Sequence, residues 1–218
     1  MLLSVFFFST QDVQVKYLSS YYNIFFIIWI KSITQLLVVF AFLHIKSKKN
    51  YFKSDNYPVQ IFRGCCYSTA TILYFFGLKN LEMSVAASLS FVSPFIVAIF
   101  GFLLLKEKVS IKRWLVIVLG FSGVLVITRP GIIEFNFAFL FVLFAAIFWS
   151  LFQILSRFLR NDGAFNMLMI SSLVCFIFSS CFIPFYFDSI ININLFVMLS
   201  LLGIFAALAE YFMIKAFS

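Results

Sequence analysis

Apolar residues along this chain come in long runs separated by brief polar connectors. A helix needs about 20 apolar residues to cross the hydrocarbon of a bilayer. Eight runs approach that length: 2–18 (shortened), 22–45, 58–78, 84–105, 111–128, 137–159, 164–187 and 195–217. Ten-residue stretches of alternating polarity, the mark of a membrane β-barrel, are absent. The pattern predicts an all-α, polytopic membrane helix bundle of about eight transmembrane helices, with short connectors placing neighbours antiparallel. The first run, MLLSVFFFSTQDVQVKY, has neither a basic leading region nor an A-x-A-like cleavage site, so it is expected to be a shortened membrane helix and not a signal peptide.

Composition strengthens this reading. The 218 residues are 64% hydrophobic and only 11% charged, against about 45–50% and about 25% in soluble domains; mean hydropathy is +1.10. The net charge of +8 falls in loops between apolar segments and builds no basic groove with interleaved aromatics, so no nucleic-acid partner is expected. Cys65, Cys66, Cys175 and Cys181 lie inside apolar runs at spacings that match no metal or disulfide pattern, and His44 is the lone histidine; no metal site or cofactor is expected.

Basic residues orient the bundle. Lys46, Lys48, Lys49 and Lys53, with Arg63 opening the third segment, fall on one side, together with Lys106, Lys108, Lys112 and Arg113, and with Arg157 and Arg160. The other side holds Lys16, Lys79 and Arg129. The richer side is cytoplasmic by the positive-inside rule, which puts both termini in the cytoplasm.

The fourth segment carries the strangest local pattern. Ala86, Ser90, Pro94, Ala98 and Gly101 fall at helical spacing, a small-residue stripe that lets helix backbones approach closely. Pro94 removes a backbone hydrogen bond at membrane depth, where freed backbone is tolerated only inside protein or against a watery cavity. Either a kink beside a substrate cavity or a kink that serves packing satisfies that rule. The apolar run ends at Lys106-Glu107-Lys108, where Glu107 can form interfacial ion pairs. A short repeat also appears: Ser9-x6-Lys16-Tyr17-Leu18 in the first segment and Ser150-x6-Arg157-Phe158-Leu159 in the sixth. Five segments apart, the two copies cross the membrane in opposite senses, as in inverted-repeat transporters.

The stretch from Leu81 to Gly131 combines the small and polar run Ser84–Ser93, Pro94, Leu103-Leu104-Leu105-Lys106-Glu107, Trp114, Gly120-x-x-Gly123-Val124 and Thr128-Arg129-Pro130-Gly131. In that order these features resemble the EamA-type repeat of the drug/metabolite transporter superfamily, and Ala145–Arg157 resembles the opening of a second repeat. Within the superfamily, Asp12-Val13 followed by Lys16-Tyr17-Leu18, and the ending Ile214-Lys215-Ala216-Phe217-Ser218, are most similar to the S-adenosylmethionine uptake transporters of Rickettsiales. The resemblance implies two inverted five-helix repeats, 1–131 with its first helix shortened and 137–218 with three helices, so that the second repeat is incomplete. It implies a small polar metabolite as substrate and the lipid bilayer as partner.

Ionisable groups within the bilayer are costly and usually face the bundle interior. Asp12 shares a face with Ser9 and Lys16, Lys31 with Thr34 and Gln35, and Gln153 with Ser150 and Arg157; Glu210 stands beside Tyr211 and a turn before Lys215. For S-adenosylmethionine, the resemblance implies that Asp12 or Glu210 neutralises the positive charge and Lys31 meets the carboxylate. Trp149, Tyr74 or Tyr211 would stack on adenine or the sulfonium. Tyr67, Thr71 and Tyr74 share a face of the third segment and, with Ser90 and Pro94, make a plausible wall. The competing structural readings are ion pairs Asp12–Lys16 and Glu210–Lys215, snorkelling of Lys16, Arg157 and Lys215, and packing roles for the aromatics, Gly120 and Gly123.

Three further readings compete: an amino-acid or drug exporter of the same superfamily, a truncated non-transporting remnant, and an intramembrane enzyme. The last lacks a His pair, a Ser nucleophile motif and a phosphate-binding glycine loop. With no nucleotide-binding motif, transport is expected to be facilitated, exchange or ion-coupled. The predicted topology has a direct check. A cysteine placed by Lys48→Cys should resist a membrane-impermeant thiol reagent in intact cells and react once the membrane is opened; labelling from outside would invert the bundle.

Overall fold

A computed structural model describes residues 2–45, 54, 56–105, 110–128, 136–188 and 192–216. The predicted lysine clusters at 46–53 and 106–108, Glu107, Arg129–Gly131 and Phe217–Ser218 lie outside these residues, as do the side chains of Lys112 and Arg113. The described chain is helical: α1 (Leu2–Leu18), α2 (Ile24–Ile45), α3 (Tyr57–Asn80), α4 (Met83–Ser90), α5 (Ser93–Leu105), α6 (Ile111–Thr128), α7 (Ala138–Phe158), α8 (Ala164–Ser180), α9 (Ile183–Tyr186) and α10 (Ile193–Lys215), with a 3-10 turn at Arg160–Asp162. Among the described residues five spans are long and apolar enough to cross a membrane, Met83–Leu103 being α4 and most of α5 taken together. Phe6, Leu37, Phe62, Phe102, Phe144 and Phe185 project from the bundle, each at least 52% exposed. Such an apolar outer face suits lipid and not water.

Two of the eight predicted segments are broken. The fourth is interrupted at Phe91–Val92, and Pro94 sits in the first turn of α5, where its missing N–H costs nothing. It therefore restarts a helix instead of kinking one, and its ring faces outward. The seventh breaks at Cys181–Phe182, with Pro184 in the first turn of α9. Phe182 and Tyr186 then stack on Phe25 of α2, at 4.5 and 5.0 Å between ring centroids.

The core is built on α3, which packs against α7 and α8, and on α2 and α1 against α10. Serine and threonine hydroxyls within it satisfy themselves on the carbonyl one turn back, as Ser68 does on Gly64 (2.8 Å), Ser172 on Leu168 (2.8 Å) and Ser179 on Cys175 (2.8 Å), so they enter a water-free interior without orphaned donors. Lys16 does not snorkel. Its ammonium donates to the carbonyls of Leu78 (2.9 Å), Lys79 (3.1 Å) and Leu81 (2.7 Å), placing a cation on the negative end of the α3 dipole.

Arg63 departs furthest from expectation. Instead of joining the interfacial bases, it is fully buried two turns into α3. Its guanidinium donates to Gln60 Oε1 (3.1 Å) and Ser171 Oγ (2.7 Å), to Ser156 Oγ (3.1 Å) of α7, and to the Met167 carbonyl (2.5 Å) of α8. It also lies over the Phe152 ring, 5.0 Å from its centroid. Gln60 in turn donates to Asp162 (2.7 Å) in the turn between α7 and α8. One planar fork thus ties α3, α7 and α8 together at the end of the bundle carrying the 158–164 connection.

Of the predicted small-residue stripe, Ala86, Ala98 and Gly101 are buried and Pro94 is exposed. At Gly120 and Gly123 an added Cβ would meet nothing within 4 Å among the described residues, so they do not serve packing there. At Gly203 of α10 it would fall 1.8 Å from Thr34 Oγ1 and 2.6 Å from the Lys31 carbonyl. Gly203→Ala must therefore push α10 off α2, and we expect a loss of about 1–3 kcal/mol, read as a lower melting temperature in detergent. Arg63→Met should lower stability by about 3 kcal/mol, through the acceptors it abandons. Arg63→Lys should recover little of it, because an ammonium cannot reproduce the fork.

Candidate functional site

A cavity of about 210 Å³ opens between α1, α2, α3, the α4–α5 break and α7. Each wall follows from local structure. From α1 come Phe8, Gln11 and Asp12; from α2, Lys31; from α3, Tyr67, Ala70, Thr71, Tyr74 and Phe75. The helix break contributes Ser90 and Ser93, and α7 contributes Ala145, Ala146 and Trp149. The break is moored to α7: Ser150 Oγ shares its hydrogen between the Ala146 carbonyl (2.7 Å) and the Ser93 carbonyl (3.1 Å), and Ser93 Oγ donates to the Ala146 carbonyl (3.5 Å). The short side chains of Ala145 and Ala146 leave the space that the cavity occupies.

Two opposite charges face this space. Lys31 is buried to 1% exposure. Its ammonium donates to Tyr67 Oη at 3.0 Å and lies 5.0 Å from the centroid of the Tyr67 ring and 5.7 Å from that of Phe75. Asp12 is half-buried and accepts a hydrogen bond from Tyr74 Oη at 3.1 Å. Neither charge has its opposite as a hydrogen-bonded partner. The aromatic floor is continuous: Phe8 meets Trp149 edge-on at 5.4 Å, and Trp149 lies 6.3 Å from Tyr67 and 5.2 Å from Phe152. Gln11 is 5% exposed, and its Oε1 has no donor among the described residues.

Of the residues singled out from sequence, Asp12, Lys31, Tyr67, Thr71, Tyr74, Ser90 and Trp149 come together here. Pro94, Gln153, Glu210 and Tyr211 do not line the cavity. Tyr211 packs on Phe165 (4.8 Å between centroids) beneath the Lys215 ammonium. Glu210 is fully buried behind the wall, accepting from Gln35 Nε2 at 2.8 Å; its partner is that amide, and not Lys215. Sequence reasoning missed Gln11, Phe75 and Ser93. The first two adjoin Asp12 and Tyr74, and Ser93 directly precedes Pro94, so neighbourhood alone pointed to them.

A lipid-facing helical bundle around a charged and aromatic cavity is the build of a membrane transporter. Residues 1–129 match the EamA-like transporter family, and the chain belongs to that family. A curated S-adenosylmethionine uptake transporter of Rickettsia felis is 30% identical over 222 residues, covering the whole of this chain and 74% of the relative. That of Rickettsia prowazekii is 27% identical over 218 residues with the same coverage. A riboflavin transporter of Brucella anthropi is 21% identical over 188 residues, covering 84% of this chain and 66% of its own length. One crystal structure superposes with a TM-score of 0.80 at 16% identity, over 99% of this chain and 77% of that one, which shows the shared fold.

Proposed function

We propose that this chain takes up a small zwitterionic metabolite carrying an additional positive charge, S-adenosylmethionine being the compound that fits best, across the bacterial inner membrane with both termini cytoplasmic. It acts as a transporter and not as an enzyme. The observation that carries the reading is the placement of Asp12 and Lys31 on different helices, facing one cavity across an aromatic floor. S-adenosylmethionine presents a sulfonium, an ammonium, a carboxylate and a flat purine. Asp12 would neutralise the cationic groups, and Lys31 would take the carboxylate, each in a setting where an unpaired charge is expensive. Trp149 and Tyr67 offer the faces on which adenine or the sulfonium stacks. The names of the rickettsial relatives agree with this choice of substrate.

The cavity also sits where two proposed inverted repeats, 1–131 and 137–218, meet, with walls from both. Sites of this kind lie near the bilayer midplane and are exposed alternately to either side. Alternating access at that meeting of helices is the mechanism proposed, and no ATP-binding motif is present in the sequence.

The test is uptake of labelled S-adenosylmethionine into cells that have no route of their own. The native chain should support uptake. Asp12→Asn and Lys31→Met should each lower it at least about tenfold, the effect of removing one partner from a buried charge pair. Uptake that is equal in both variants and the native chain would remove the two residues from the site. No uptake or exchange by the native chain at all would overturn the choice of substrate.

A further inference from the structure

We propose that Glu210 is a proton-binding site whose occupancy raises the cavity's affinity for the anionic end of its ligand, relayed by reversal of the Gln35–Tyr67 hydrogen bonds. The inference deepens the reading above and rests on Lys31 being the seat of the ligand's carboxylate.

Glu210 does not touch the cavity, yet a continuous chain joins them. Lys31 Nζ donates to Tyr67 Oη (3.0 Å), Tyr67 Oη donates to Gln35 Oε1 (3.4 Å), and Gln35 Nε2 donates to Glu210 Oε2 (2.8 Å). Every donor in the series points toward Glu210. Its other oxygen, Oε1, is buried with no hydrogen-bond partner among the described residues. A carboxylate has sites for about four hydrogen bonds, and this one is fully buried with Gln35 as its hydrogen-bond donor among the described residues.

The groups around Glu210 explain why nothing nearer satisfies it. From α2 it faces Lys31 and Gln35, and from α3 the field of Arg63 and the Tyr67 phenol. The Arg63 guanidinium is already bonded to Gln60, Ser156, Ser171 and the Met167 carbonyl. From α8, Ser171 spends its hydrogen on the Met167 carbonyl (2.9 Å). From α1, Ser4 donates to the Ala209 carbonyl (2.9 Å) and Phe7 packs on Phe205 and Phe212. Asp12, also on α1, belongs to Tyr74.

When a proton binds Glu210, the carboxyl group becomes a donor. On Oε1 that hydrogen finds no acceptor among the described residues; on Oε2 it meets the Gln35 amide. A half-turn of that amide restores both contacts with opposite sense: Glu210 Oε2–H donates to Gln35 Oε1, and Gln35 Nε2 donates to Tyr67 Oη. The phenol then accepts from both Lys31 and Gln35, and its own hydrogen is released into the cavity that Tyr67 lines. The lost negative charge also leaves Lys31 with one counter-charge fewer. Both changes favour an anionic group beside Lys31 and Tyr67. By linkage, a bound carboxylate favours the proton equally, so ligand and proton bind together.

The experiment uses the full chain in lipid nanodiscs with S-adenosylmethionine, comparing the native protein with Glu210→Gln, which is permanently neutral. Between about pH 8 and about pH 5 the ratio of native to variant dissociation constants should fall about tenfold, a typical coupling strength. Taking the ratio cancels the titration of Asp12, which both proteins share. A second arm needs no ligand: a carboxyl stretching band should grow in the infrared as pH falls and be missing in Glu210→Gln. The Tyr67 phenol band, assigned with Tyr67→Phe, should shift in the same pH range, and Gln35→Met should abolish that shift while keeping the carboxyl band. A constant ratio, or a phenol band indifferent to pH, would overturn the proposal. If the native protein fails to bind S-adenosylmethionine at any pH, the substrate reading falls, and the infrared arm alone decides the relay.

Discussion

Inside a helical bundle faced with hydrocarbon, charge must be answered by protein, because no solvent is there to answer it. Lys31, Arg63 and Glu210 are buried, and Asp12 is half-buried: two cations and two anions, and most of the polar design follows from holding them. They are held differently. Arg63 is saturated by neutral acceptors from three helices and has nothing left to offer a ligand. Lys31 has one phenol oxygen and two aromatic faces for three N–H donors. Asp12 has one phenol hydrogen. Unsatisfied capacity thus rests on the two charges that face the cavity and on Glu210 behind its wall, while the saturated Arg63 closes the bundle away from it.

The backbone serves the same arrangement. A continuous fourth helix would present a uniform face to α7. The break at Phe91–Val92 turns the chain instead, so that Ser90 and Ser93 approach the cavity while Ser150 and Ala146 hold the turn in place. The bare backbone at Gly203 lets α10 close on α2 beside the Lys31 carbonyl, and Glu210 follows two helical turns later on the same face. That close approach is what brings Glu210 within reach of Gln35. Cavity and carboxylate are therefore linked through backbone packing as well as through side chains.

Much of this was legible in the amino-acid order. The eight apolar runs coincide with helices or broken helices, because span length is set by the bilayer and shows as run length. Asp12, Lys31, Tyr67, Tyr74, Ser90 and Trp149 share one cavity because polar and aromatic residues at mid-helix have few other places to go. Arg63 was misread for a physical reason. A base six residues into a helix looks the same in sequence whether it reaches the interface or turns inward, and only the acceptors on α7 and α8, some hundred residues away, settle it. Pro94 carries its own ambiguity, since the same residue bends a helix from within and opens a new one at its first turn. Glu210 and Tyr211 illustrate a third limit. Adjacent residues on a helix point about 100° apart, so one meets Gln35 in the core and the other packs on Phe165.

Selectivity in such a cavity comes less from attraction than from what the wrong ligand leaves unmatched. A neutral planar molecule could stack on the Trp149 and Tyr67 rings, but it would bury Lys31 and Asp12 further without answering either. A site built to pair polar groups rejects analogues that lack the partner far more strongly than an apolar pocket rejects a change of size. A simple cation would satisfy Asp12 and repel Lys31, and a simple anion would do the reverse. On the proposed reading, a ligand that carries both signs together with a flat aromatic part completes the cavity. The strength of that preference depends on how firmly Lys31 is already engaged, which is why a carboxylate hidden behind the wall, joined to it through Gln35 and Tyr67, bears on what the cavity will accept.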